Sequence, residues 1–215
     1  MSMSRLFFLA FIGLGLLSAK EVSDADLNRI LHELMAGNQR YVVNHPVHPH
    51  QRPARRTEVA KGQHPKAVIL SCSDSRVPPE LVFDQGIGDL FVIRMAGNVV
   101  DDDVLGTIEY AVEHLGASLI MVLGHERCGA VTAVVEGQHA EGHIKDLVNA
   151  ISPAVVTVKG QPGDKIENAM KANVRNSVSL IEHDDAFQAH EGKAPKVKVV
   201  GARYDLDTGV VELLH

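Results

Sequence analysis

The sequence predicts an α/β domain in which a central, mostly parallel β-sheet is flanked by helices. Three observations carry that prediction. Four short runs, AVILSC (67–72), DLFVIRMAG (89–97), ASLIMVLG (117–124) and KVKVVGARYD (196–205), are rich in Val, Ile and Leu without clear alternation, as in strands buried on both faces. Helical stretches lie between them, notably 103–115 and 165–183, and strands alternating with helices imply right-handed crossovers. The 215 residues are 45% hydrophobic and 22% charged, which suits one domain and excludes a disordered tail or a fibrous repeat.

Taken in order, the chain opens with Arg5, the twelve-residue apolar run Leu6 to Leu17, and Ser18-Ala19. That is the layout of a secretory signal, too short for a membrane span of about 20 residues. The expected organisation is a signal peptide at 1–19 and a single domain at 20–215, exported to the periplasm, with no stable membrane span after cleavage. Leu17 leaves an uncleaved anchor as the alternative. Export means an oxidising compartment, which bears on the two cysteines.

Ser23 and Asp26 mark a helix start, and Leu27, Ile30, Leu31 and Leu34 recur at helical spacing, so 24–43 reads as an amphipathic helix. Residues 44–65 carry four prolines and are expected to form an irregular arm. Its His45, His48, His50 and His64 read as solvated loop histidines in preference to a metal tract. Within 165–183, Ile166, Met170, Val174, Val178 and Ile181 form one apolar stripe suited to core packing. Lys and Arg total 21 against 27 acids, a net charge of -6, so a basic footprint for nucleic acid is missing. Aromatics at 4%, with no Trp, exclude stacking platforms for bases.

In open α/β sheets, sites form beyond the carboxyl ends of the strands. Two such ends carry unusual clusters: Cys72-Ser73-Asp74-Ser75-Arg76 after the first strand, and Gly124-His125-Glu126-Arg127-Cys128-Gly129 after the third. Cys72, His125 and Cys128 offer two thiolates and an imidazole, enough to hold Zn2+ with a fourth position open. Asp74 could then accept a hydrogen bond from the oxygen at that position, with Arg76 gripping its carboxylate. The competing readings are a Cys72–Cys128 disulfide, and Asp74 with Arg76 as a helix cap and surface ion pair. A disulfide gives no reason for His125 or for the Asp-x-Arg pair. Redox exchange is weak because there is no Cys-x-x-Cys.

CSDSRVPPE and GHERCGAV together resemble the paired signatures of the β-class carbonic anhydrases, and DLFVIRMAGNVV and GTIEYAVEHLGASLI resemble the segment between them. The similarity runs from GNQRY to the closing strand pair around GARYDLDTGVVEL. It implies reversible hydration of carbon dioxide to bicarbonate and a proton by a zinc-bound hydroxide. Zn2+ would be held by Cys72, His125 and Cys128, with Asp74 and Arg76 as the orienting pair. Asp74 would be the fourth ligand only in a closed state. The resemblance also implies a homodimer or dimer of dimers in which the helix at 24–43 packs on a partner subunit. One departure is the absence of Trp, which a subgroup uses in a regulatory bicarbonate pocket; an open resting site is expected. Val77, Val99 and Gly129 are candidates for the substrate pocket, and His64 and His114 for proton transfer. Two alternatives stay open: a hydrolase of a carbon dioxide analogue such as carbon disulfide or carbonyl sulfide, and an exported non-catalytic protein with the disulfide or a closed zinc site.

Overall fold

The computed structural model describes residues 22–187 and 196–215; the expected signal peptide at 1–19 lies outside them. Five strands, β1 (Ala67–Ser71), β2 (Leu90–Arg94), β3 (Leu119–His125), β4 (Lys198–Tyr204) and β5 (Val211–Leu214), form one sheet in the order β2-β1-β3-β4-β5. The first four are parallel, and β5 pairs antiparallel with β4 through a tight hairpin. Around the sheet lie α1 (Asp24–Val42), α2 (Pro53–Val59), α3 (Pro79–Val82), α4 (Asp102–Glu113), α5 (Gly129–Val135), α6 (Ile144–Thr157) and α7 (Lys165–Glu182).

Every residue of β1 and β3 is buried, as their unbroken apolar runs require. Because strand side chains alternate, the sheet serves two cores. Val68, Leu70, Ile120 and Val122 face the core built with α4 and α7, whose Met170, Val174 and Ile181 supply the expected stripe. Ala67, Ile69, Leu119, Met121 and Leu123 face the other, where Leu34 of α1 and Phe83 pack. Burying a side chain the size of Leu34 stabilises the fold by about 2 kcal/mol.

Ser23 and Asp26 close a reciprocal capping box at the start of α1, satisfying first-turn N–H groups. Leu27, Ile30 and Leu34 of that helix are buried, the last two in the core on the chain's own sheet. Asn38, also buried, donates to Val82 O and Gly209 O and accepts from Val211 N, tying α1 to α3 and to the β4–β5 hairpin.

Two segments depart from the sequence reading. The arm at 44–65 is not wholly irregular, because Pro53 sits in the first turn of α2, where a missing N–H costs nothing. Its histidines gather no metal-ligand group among the described residues; His50 instead bonds the buried Asp89 carboxylate through Nδ1 at 2.7 Å. Helix α6 lies where the sequence reading placed no element, and Pro153 sits inside it although proline ordinarily breaks a helix.

Candidate metal centre

The parallel pairing of β1 with β3, Ser71 opposite Leu123, sets the carboxyl ends of the two strands side by side. Cys72 follows the last residue of β1, His125 is the last residue of β3, and Cys128 caps the amino end of α5. Their ligand atoms lie within 4.8 Å of one another, and all three residues are buried. The two sulfurs are 4.0 Å apart and unbonded, so the structure holds a dithiol and not the disulfide.

Local hydrogen bonds orient the donors. The His125 Nδ1–H donates to the Glu126 carbonyl at 2.8 Å, which places the lone pair of the neutral ring on Nε2. Nε2 is buried and has no hydrogen-bond partner. A buried polar atom without a partner is costly unless something absent from the chain satisfies it. Two sulfurs and an imidazole nitrogen converging on one point fit Zn2+, and three such ligands leave one tetrahedral position free.

The thiols are strongly coupled. Cys72 is lowered to about 4, foremost because the Cys128 thiol donates to its sulfur; burial opposes this, while the N–H groups of Gly97 and Asp74 assist. Cys128 is pushed up, first by that same bond and then by burial. The pair therefore keeps one proton between its sulfurs, since a second thiolate in the same buried space needs a cation beside it.

Asp74 lies at the rim. Arg76 donates to it three times, Nε to Oδ1 at 2.9 Å, Nη2 to Oδ2 at 2.7 Å and backbone N to Oδ1 at 2.9 Å. Those side-chain bonds, outweighing burial, hold the carboxyl well below the usual carboxylate range, so Asp74 is an ionised acceptor at neutral pH. Its Oδ2 is 3.8 Å from His125 Nε2, next to the point where the three ligand atoms converge.

Sequence reasoning missed the supports of this cluster. Arg94, the one charged residue of β2, donates from Nε to Cys72 O at 3.1 Å and from Nη2 to Asp74 O. Gly97 N–H donates to Cys72 Sγ at 3.3 Å from a turn in which Gly97 has φ 70° and Asn98 φ 45°. Asn173 and Ser177, buried on α7, fix that turn by bonds to Gly97 O at 2.7 Å and Asn98 O at 3.0 Å. The Gly97-Asn98 dipeptide is a turn signal, and the strand reading of 89–97 took in its glycine.

Among the pocket candidates, Val99 packs in the same core as the two cysteines, and Gly129 opens α5 beside Cys128. Val77 is wholly buried in the opposite core, with Phe83 and Leu34. His64 precedes β1, and His114 follows α4 with its ring 5.4 Å from Tyr110. Both sit toward the amino ends of the parallel strands, the far edge of the sheet from the cluster.

A family model described as carbonic anhydrase matches residues 67–211, which include the whole cluster. Carbonic anhydrase 2 of Mycobacterium tuberculosis is 39% identical over 180 residues, 82% of this chain and 87% of that protein. A Coccomyxa β-carbonic anhydrase, solved in complex with acetazolamide, superposes with a TM-score of 0.68 at 26% identity over 87% of this chain and 82% of its own. One of two tetrameric β-carbonic anhydrases from Sordaria macrospora shares the fold, with a TM-score of 0.66 at 24% identity, over 86% of this chain and 97% of its own.

Proposed function

The chain belongs to the β-carbonic anhydrase family, and on that premise we propose that it hydrates carbon dioxide reversibly at one Zn2+ held by Cys72, His125 and Cys128. The observation that carries this reading is the partnerless Nε2 of His125, buried beside two sulfurs and an ionised carboxylate. Zn2+ bound there would supply a Lewis acid able to lower the pKa of a coordinated water toward about 7.

The chain's own residues do the rest. Asp74, kept ionised and aimed by Arg76, accepts a hydrogen bond from the attacking oxygen and so turns one of its lone pairs toward the carbon of carbon dioxide. Arg94 fixes the backbone of Cys72 and Asp74, holding the distance between ligand and acceptor. The N–H groups of Ala130 and Val131, in the first turn of α5, bond the Cys128 sulfur and favour its thiolate. An apolar wall that includes Val99 suits a small uncharged substrate. Because Arg76 already occupies Asp74 with three donors, the open arrangement is the resting one, and Asp74 would have to leave Arg76 to act as a fourth ligand.

The assembly we propose is a homodimer or a dimer of dimers. Supporting it, Val43, Val47, Leu81 and Ile87 are exposed along the arm after α1 and the segment it runs beside, and the Sordaria relatives are tetrameric. We propose export to the periplasm as well, on the sequence pattern of Arg5, the apolar run Leu6 to Leu17 and Ser18-Ala19.

The test is metal content and carbon dioxide hydration on the same purified protein, from mildly acidic to alkaline pH. One zinc per chain with fast hydration is expected. Zinc without hydration at any pH, or hydration without zinc, overturns the reading.

A further inference from the structure

The loop that carries two of the three ligands, His125-Glu126-Arg127-Cys128, is gripped from outside by the β4–β5 hairpin. Glu126 N–H donates to Tyr204 O at 3.1 Å, and Leu206 N–H donates to Glu126 Oε2 at 3.1 Å. Arg203, only 11% exposed, donates through Nη2 to Glu126 Oε1. It also donates through Nε to Glu167 of α7 at 2.6 Å and approaches Asp205 at 3.3 Å and Glu212 at 3.4 Å. One residue on, Arg127 pairs with both oxygens of Asp207 at 2.9 Å.

The acids Glu126, Asp205 and Asp207 stand close enough to suggest a second cation site. Arg203 and Arg127 already answer them, so their arrangement serves the loop. It bears on the metal centre through one bond: the Glu126 carbonyl accepts the His125 Nδ1–H and thereby sets the ring. The direction of that carbonyl depends on the backbone at Arg127, which holds φ 47°, a left-handed conformation that a non-glycine residue keeps only when its surroundings impose it. The Asp207 pair beyond and the Arg203–Glu126 pair before supply that imposition.

We propose that Glu126 and Arg203, aided by the Arg127–Asp207 pair, are positioning residues that preset His125 for metal by clamping the peptide its ring donates to. The proposal rests on the reading of Cys72, His125 and Cys128 as zinc ligands. None of the four clamp residues touches the reacting atoms; they act through the orientation of one imidazole.

The test uses the zinc-loaded full-length chain, with transfer of zinc to a chromophoric chelator as the readout and the visible spectrum of the Co2+-substituted protein beside it. Arg203→Met is expected to release zinc about 10- to 100-fold faster, the usual effect of losing a partner behind a metal ligand. The cobalt ligand-field bands should shift as the imidazole loosens, while thiolate-to-cobalt charge transfer remains. Arg203→Lys should restore part of the loss. Asp207→Asn, on a side chain 70% exposed, leaves the fold intact and keeps the measurement open should Arg203→Met not fold; up to about 5-fold faster release is expected. A role in stability alone would lower the melting temperature of the zinc-free variants and leave release rates and cobalt bands at parental values. That result overturns the clamp while the functional reading stands. A parent that takes up no zinc overturns both.

Discussion

Cys72 Sγ, just after β1, and Cys128 Sγ, at the amino end of α5, face each other at 4.0 Å, about twice the length of a disulfide. That spacing leaves room for an ion touching both sulfurs. Cys72→Ser or Cys128→Ser should therefore lose zinc and carbon dioxide hydration together. Metal analysis and stopped-flow hydration on each variant check this, and full activity in a zinc-free variant would sink the mechanism. Thiol titration gives a second view: both thiols should be slow to react in the loaded protein and react promptly once a chelator strips the metal.

Asp74 is placed to act on the attacking oxygen, not to retain the ion. Asp74→Asn keeps the shape and the Arg76 neighbour but presents an amide where an ionised acceptor stood. We expect zinc to stay at one per chain while turnover falls by about 10²- to 10⁴-fold, the range for losing a positioned proton-accepting group. Loss of zinc in parallel with activity would instead make Asp74 a ligand.

The sheet and the cluster were legible for related reasons. Strands buried on both faces must be apolar throughout, so β1 and β3 appear as unbroken runs, and polar residues at their carboxyl ends stand out against them. What supports the cluster was not legible, because it comes from distant parts of the chain. Asn173 and Ser177 sit within a helix whose apolar stripe is plain, yet nothing local says that they reach the turn at 97–98. Arg203 is one charge in a run read as a buried strand, and nothing local says that β4 sets it against Glu126 and Glu167. Val77 is close to Cys72 in sequence, yet the turn after Asp74 carries it into the core with Phe83 and Leu34.

Asp84 makes stability depend on pH. It is buried, which pushes its carboxyl up, but Val47 N–H, the Arg40 side chain and His48 N–H outweigh burial and hold it below the ordinary value. A depressed folded-state pKa stabilises the fold above the unfolded value of about 3.9, and that contribution is lost as pH falls through the folded value. Asp84→Asn should cost about 2–3 kcal/mol at neutral pH, since it strands Arg40 and loosens the arm. Urea unfolding of parent and variant should show the difference shrinking as pH falls toward about 3. A difference constant with pH would mean that lost packing, not charge, is responsible.

Val174 of α7 sits against two glycines on neighbouring strands. A Cβ on Gly124 would meet Val174 Cγ2 at 2.4 Å and Met170 Sδ at 2.9 Å, and one on Gly201 would meet Val174 Cγ1 at 2.9 Å. The missing side chains let α7 lie close on β3 and β4, which brings Asn173 within reach of the turn behind Cys72. Gly124→Ala should force the helix outward at a cost of about 1–3 kcal/mol. Val174→Ala alone should cost a similar amount by opening a cavity. Together they should cost less than their sum, by about 0.5–3 kcal/mol, because the valine methyls removed are those the new methyl would strike. A double-mutant cycle in urea measures the coupling. Strict additivity would mean that the sheet, not α7, yields to the added methyl, and the helix would then keep its hold on the turn at Cys72.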